Sequence, residues 1–336
     1  MPLRTAVLLS IISLVFCGFA YSDCGSGLVS GQHSGQSTSF SKSLQRAQKG
    51  DREAQFQVAL AYQAGRGVEQ NCTEAIRWYQ RAAEAGHAAA QNNLASLYER
   101  GVGVPQSDQE ALRWYLRAAS DNFPPAEDNL GSMYADGHGV RQDDAEALRW
   151  FRKAAAAGYP AGESDVAFMY LSGRGVVRDE ARAVTWYLKA AQKKYAPAQT
   201  NLGLIYASGK GVRADSAQAL KWYRAAADQN FALAELSLGL MYARALGVER
   251  NPTEAMTWFR RAAQHGSAAA ENEIGVAYEH GDGVAEDLAQ ALQWYRKAAD
   301  DGFAEAQHNT ERLSTHLAKV NGMQVSSSTE FRRTSQ

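Results

Sequence analysis

Seven polar residues recur 36 positions apart in this chain: Gln57, Asn93, Asn129, Asp165, Asn201, Ser237 and Glu273. Each stands directly before an aliphatic residue and then a glycine or alanine, so all seven occupy the same place in some repeated element. A side-chain amide donates to a carbonyl and accepts from an N–H, so a ladder of such groups suits an extended peptide backbone. A solvated helix face with no ligand accounts for the same pattern. A second kind of chemistry lies in the cysteines. Once Cys17 is lost with the leader described below, Cys24 and Cys72 remain, and in an oxidising compartment they can form one disulfide. Cys72 opens a helix, which activates a thiol, yet it has no companion at a catalytic spacing.

The sequence holds no His-Glu-x-x-His, no paired Cys-x-x-Cys, no Gly-x-Ser-x-Gly and no Walker motif. His308 and His316 share a helical segment but stand eight residues apart, too far to hold one metal ion comfortably. We therefore expect no catalytic residue, no metal and no cofactor, with the Asp and Glu residues serving as helix caps and surface charge. The alternative from another class is a hydrolase or binder of cell-wall or surface polysaccharide, with Asp165 and Glu273 as its acids. The formal net charge of −1 gives no basic bias toward nucleic acid.

The elements that carry these residues follow from the same period. All seven tryptophans, from Trp78 to Trp294, fall in one series of step 36, and a Tyr series from Tyr62 and a Gly series from Gly67 run beside it. Within a unit, Ala90, Leu94, Leu97 and Tyr98 have helical spacing, as do Ala111, Leu112, Tyr115, Ala118 and Ala119. Between them a Gly-x-Gly-Val loop, such as Gly101 to Val104, ends the first helix. The residues between the glycines, Arg66, His138, Arg174 and Lys210, could meet acidic partners.

The second helix begins at Asn71, Ser107, Asp143, Asp179, Asp215, Asn251 and Asp287, each an N-cap worth about 1 kcal/mol. Glu or Gln three residues on predicts the reciprocal capping box in six of seven units, Arg182 being the exception. The helix stops at Gly86, Asn122, Gly158, Asn230, Gly266 and Gly302, a series that Lys194 breaks. In the sixth unit Ala245 replaces the helix-ending glycine and predicts an altered bend. The tryptophans are expected in the core, and Leu60, Phe168, Leu204, Leu240 and Val276 beside the polar stripe offer apolar pockets or complete the packing. Each unit is too small to bury its apolar face alone, so the units must stack.

The ends read differently. Arg4, the apolar run of 15 residues from Ala6 to Ala20, and small residues at Ala20 and Ser22 predict an export signal over 1–22. That run is short of the roughly 20 residues a spanning helix needs, so we expect an exported chain, periplasmic or secreted, with no stable membrane insertion after cleavage. Residues 23–49, rich in Gly, Ser and Gln, are expected to form a flexible leader. Seven repeats fill 50–303, a polar capping helix follows over 304–319, and 320–336 is expected to be disordered.

Taken together, Ala-Gln-x-x-Leu-Gly-x-x-Tyr, Gly-x-Gly-Val, the acidic cap and Ala-x-x-Trp-Tyr-x-x-Ala-Ala resemble the Sel1-like repeat family, relatives of the tetratricopeptide repeats; Asn201 through Ala227 is a near-complete match. The resemblance implies an all-α, right-handed α-solenoid of helix-turn-helix repeats acting as an adaptor for a protein or peptide. It also implies that the asparagine before Leu-Gly faces a concave groove. A cysteine-rich branch of the family is linked to β-lactam binding and hydrolysis; this chain lacks the cysteines that define it.

Overall fold

The computed structural model describes residues 38–333, with side chains through Lys319. Among the described residues there are sixteen helices and no strand, and each helix packs on its neighbours in sequence within two compact units. In the first unit, Met1–Lys193, a leading helix Thr38–Gln48 precedes four pairs: Arg52–Ala64 with Cys72–Glu84, Ala88–Arg100 with Asp108–Ser120, Pro124–Asp136 with Asp144–Ala156, and Pro160–Ser172 with Glu180–Gln192. In the second, Lys194–Gln336, the pairs are Ala196–Ser208 with Ser216–Ala227, Ala232–Ala243 with Pro252–Gln264, and Ala268–His280 with Leu288–Asp300. A last helix, Ala304–Arg333, closes this unit. It runs past residue 319, where the composition set a disordered tail.

Helices of 12 or 13 residues are marginal on their own, so their ends and packing decide them. The forward half of every cap forms as the sequence predicts: Asn71, Ser107, Asp143, Asp179, Asp215, Asn251 and Asp287 each accept from an amide in the first turn. The reciprocal half is replaced. The backbone N–H of each cap residue donates instead to the carbonyl of the repeating tyrosine nine residues back, from Asn71 to Tyr62 through Asp287 to Tyr278, at 2.9–3.0 Å. That bond satisfies the amide a capping-box carboxylate would serve and closes the loop between the two helices. Glu74, Glu110 and Glu146 are free to turn forward to Arg77, Arg113 and Arg149.

Lys194 does not break the series of helix ends. Its φ of 62° matches Asn122 at 54° and Asn230 at 60°, so the left-handed turn is made there without glycine. Ala245 likewise takes φ 54°, and its helix stops one residue early, at Ala243. The altered bend expected in the sixth repeat is thus a left-handed alanine, a conformation that costs about 1–2 kcal/mol in a residue with a Cβ.

The core differs from the expectation in which aromatic fills it. Trp78 and Trp114 are 5% exposed, but Trp150, Trp186, Trp222, Trp258 and Trp294 are only partly buried. The residue after each tryptophan goes deepest: Tyr79, Tyr115, Phe151, Tyr187, Tyr223, Phe259 and Tyr295 are all buried. The Leu-Gly glycine explains the approach, since a Cβ at Gly203 would lie 2.5 Å from the Tyr223 ring. Each indole lies beneath a cation, as with Arg81 over Trp78 at 4.7 Å and Lys189 over Trp186 at 3.9 Å, and the five partly buried ones sit at the rim.

The leader is also corrected. Helix Thr38–Gln48 occupies part of residues 23–49, burying Phe40 and Ala47, with Phe40 edge-on to Tyr62 at 5.3 Å. A stripe of Phe40, Leu44 and Ala47 at helical spacing was hidden by the average composition of the segment. The export signal proposed over 1–22 lies outside the described residues. Cys72 is disulfide-bonded; Cys24, its expected partner, also lies outside them. No helix among the described residues is long and apolar enough to cross a membrane.

Candidate functional site

The seven polar residues of the stripe all lie on first helices, about two turns before the loop, but they are not equally open. Gln57 is exposed, and its amide donates to Glu53 four residues back at 2.9 Å. Asn93 and Ser237 are buried, Ser237 donating to the Leu233 carbonyl. Asn129, Asp165, Asn201 and Glu273 are half-buried. Burial raises the Glu273 carboxyl above its ordinary range, opposed by Arg244, with which it pairs at 3.0 Å. Of the apolar residues beside the stripe, Leu240 is buried, and Leu60, Phe168, Leu204 and Val276 are half-buried.

The structure adds a partner that the sequence did not show. Asn129 donates to Asn92 at 3.0 Å, a separation of 37 residues, and Asn309 donates to Asn272 at 2.9 Å in the same register. The residue just before the stripe position in one repeat therefore holds the stripe residue of the next. Asp128 and Asp165 meet in this register too, carboxyl to carboxyl. Part of the hydrogen-bonding capacity read as a peptide ladder thus ties repeats together.

A second buried polar series was missed. Gln55, Gln91, Glu127, Glu163, Gln199, Glu235 and Glu271 all lie in the interior, so four of the acids are neither caps nor surface charge. Gln55 and Gln91 donate to the Ala47 and Ala83 carbonyls at the end of the preceding helix. Glu127 and Glu235 lack the amide N–H of a glutamine, and a cation donates in its place. Lys153 pairs with Glu127 at 2.9 Å and donates to Ala119 O, while Arg261 pairs with Glu235 at 3.1 Å and donates to Ala227 O. Lys193 spans Glu163 and Gly158 O in the same way, and Lys297 pairs with Glu271, whose carboxyl burial pushes up against the pull of that ammonium. The signal was present in the sequence as a Gln or Glu after Ala or Gly at every 36th residue.

Of the loop residues with a possible outward role, Arg174 folds back onto Asp144 and the Ala135 carbonyl. Among the described residues no group of three or more His, Cys, Asp or Glu side chains could hold a metal ion. What remains outward is a row of polar side chains on helices locked by their own interior.

Those features define an all-α tandem-repeat scaffold. The model of the Sel1 repeat matches seven consecutive segments, 52–87, 88–123, 124–159, 160–195, 196–231, 232–267 and 268–303, and the chain belongs to the Sel1 repeat family. Among solved structures it is similar to c5321, a protective antigen of uropathogenic Escherichia coli with an SLR fold, at 35% identity and TM-score 0.63. The match covers 82% of this chain and 59% of that one, so the chain spans well under the full length of this relative. A Sel1 repeat protein from Oxalobacter formigenes is similar at 32% identity and TM-score 0.62, covering 82% and 79% of the two chains. Yeast Tom70, at 14% identity and TM-score 0.55 over 83% of this chain and 58% of its own, shares the fold alone. Comparison with curated proteins gives no match.

Proposed function

We propose that this chain is an exported, non-enzymatic scaffold that binds a protein or peptide along the stripe of its first helices. One observation carries the proposal: the same helix position bears a polar side chain in all seven repeats, and Gln57, Asn129, Asp165, Asn201 and Glu273 keep part of it open to solvent. Membership of a repeat family whose fold serves as an adaptor agrees with it. Export rests on the charged, apolar and small-residue pattern of residues 1–22. For the polysaccharide alternative, Asp165 and Glu273 are its acids, and each is engaged within its own unit, by Asp128 and by Arg244.

The test replaces Gln57, Asn129 and Asn201 by Ala together and compares capture of partners from the native cell envelope, identified by mass spectrometry. Loss of a partner that wild type retains, with helical circular dichroism unchanged, is the expected result. Undiminished capture, or sugar release by the purified wild-type protein that Asp165→Asn removes, would sink the proposal. N-terminal sequencing of the protein recovered outside the cytoplasm checks cleavage near residue 22.

A further inference from the structure

The junction between the third and fourth repeats differs from its equivalents in one chemical respect. Where Asn92 meets Asn129 and Asn272 meets Asn309, a donor faces an acceptor. Asp128 and Asp165 occupy the same register with two carboxyls, which have no N–H between them. Asp128 Oδ1 is shut off from solvent, and no amide, hydroxyl or ammonium of the described residues donates to it. Two carboxyl groups can be hydrogen-bonded only if one of them carries a proton.

The surrounding cations are already committed. On the helices of the pair, Glu127 and Glu163 hold Lys153 and Lys193. On Asp144–Ala156, Asp144 pairs with Arg174, Glu146 with Arg149, and Arg152 donates to the Tyr170 hydroxyl. On Asp108–Ser120, Glu110 pairs with Arg113, and Arg117 lies over Trp114. On Glu180–Gln192, Glu180 pairs with Arg178, Arg182 with Asp179, and Lys189 lies over Trp186. On Ala88–Arg100, Glu99 accepts from Tyr115 and Arg100 donates to the Ser96 carbonyl. Among the described residues none of these cations donates to Asp128 Oδ1, and each carboxyl acts on the other.

We infer that Asp128 and Asp165 share a proton across this junction, and that losing it loosens the contact between these two repeats as pH rises. Burial raises both carboxyls, Asp128 further through the charge of Asp165, and Asp165 to about 7 with the bond from Asp128 working against its burial. With folded values above the unfolded one, the folded junction binds more protons than the open chain. Its stability is therefore greatest in acid and falls as pH rises through the neutral range. The amide pairs Asn92 with Asn129 and Asn272 with Asn309 do not titrate, so no such response is expected at those two junctions.

Carboxyl carbon NMR of the full-length protein tests this directly. An aspartate inflection near or above neutrality is expected, and completion of all aspartate titrations in the ordinary carboxylate range would overturn the inference. Amide exchange gives the mechanical readout. From about pH 5 to about pH 8.5, and after correction for intrinsic rates, Pro160–Ser172 should lose protection relative to Ala88–Arg100, whose Asn92 is held by an amide. The double variant Asp128→Asn with Asp165→Asn recreates an amide pair and should abolish that difference. A constant ratio between the two helices in wild type would refute the coupling, and the NMR titration decides the matter even if the variant folds poorly.

Discussion

The first two repeats and the third meet one structural demand with opposite chemistry. A carbonyl at the end of a second helix needs a donor. Gln91 supplies it alone, tying two helices through one hydrogen bond from its side-chain amide to the Ala83 carbonyl. Glu127, at the same place and 1% exposed, supplies only charge. It recruits Lys153 from the second helix of its own repeat, and that ammonium also reaches Ala119 O. One cation thereby joins three helices and two repeats. The amide solution is self-contained; the carboxylate solution makes one repeat's interior depend on a side chain whose head is half in water.

Lys153→Met breaks that dependence and has the largest expected effect. Removing one partner of a fully enclosed pair costs about 3–5 kcal/mol. The exposed side of Lys153 lets water reach the carboxylate, so a loss of about 2–3 kcal/mol is expected here. Denaturant unfolding measures it. Adding Glu127→Gln to the same chain should restore most of the loss, because a glutamine can donate to Ala119 O as Gln91 does to Ala83 O. A double variant no more stable than Lys153→Met would show that the two chemistries are not interchangeable.

The array itself was written plainly in the sequence because its signals are local. The forward caps and left-handed stops each involve residues within one turn or loop and reappear in the structure, whereas the reciprocal capping-box bond gives way to the tyrosine carbonyl. The site was less legible. Asn129 shows as a polar residue on a helix, but its bond to Asn92 depends on how consecutive first helices are staggered, which periodicity does not encode. The charged interior was missed for a related reason: Glu127 in isolation looks like a surface acid, and only the packing of Ala126 and Leu130 around it turns it inward. The tryptophans misled by size. A large indole under a cation fits the rim, while the narrower ring of the next residue passes beneath the Leu-Gly glycine.

Reversing the chemistry sharpens the contrast. Twenty-six residues after each interior position stands the residue that Lys153 represents: Arg117 for Gln91, but Ala225 for Gln199. Gln91→Glu would find a guanidinium already placed over Trp114, 4.7 Å from its centroid. Gln199→Glu would find none there: its carboxylate could still accept from the Gln229 amide, 2.7 Å from the present Oε1, but the buried charge would have no cation at that position. We expect about 2 kcal/mol of destabilisation for Gln199→Glu and under about 1 kcal/mol for Gln91→Glu, read from paired thermal melts. Equal losses would mean that the cation position plays no part in tolerating the charge.

The smallest effect isolates what that cation does when no carboxylate is present. Arg81 stands 26 residues after Gln55, whose amide already serves the Ala47 carbonyl, and its guanidinium lies 4.7 Å over Trp78. Arg81→Ala should then forfeit only the ring contact and the packing of the side-chain stem, about 0.5–1 kcal/mol. The same truncation at Lys153 removes a ring contact of comparable length, 5.3 Å to Trp150, together with the pairing of a buried charge. The excess of the Lys153 loss over the Arg81 loss is therefore a measure of the ion pair itself. If the two truncations cost the same, the cations are there for the indoles, and the ion pair to Glu127 adds nothing to them.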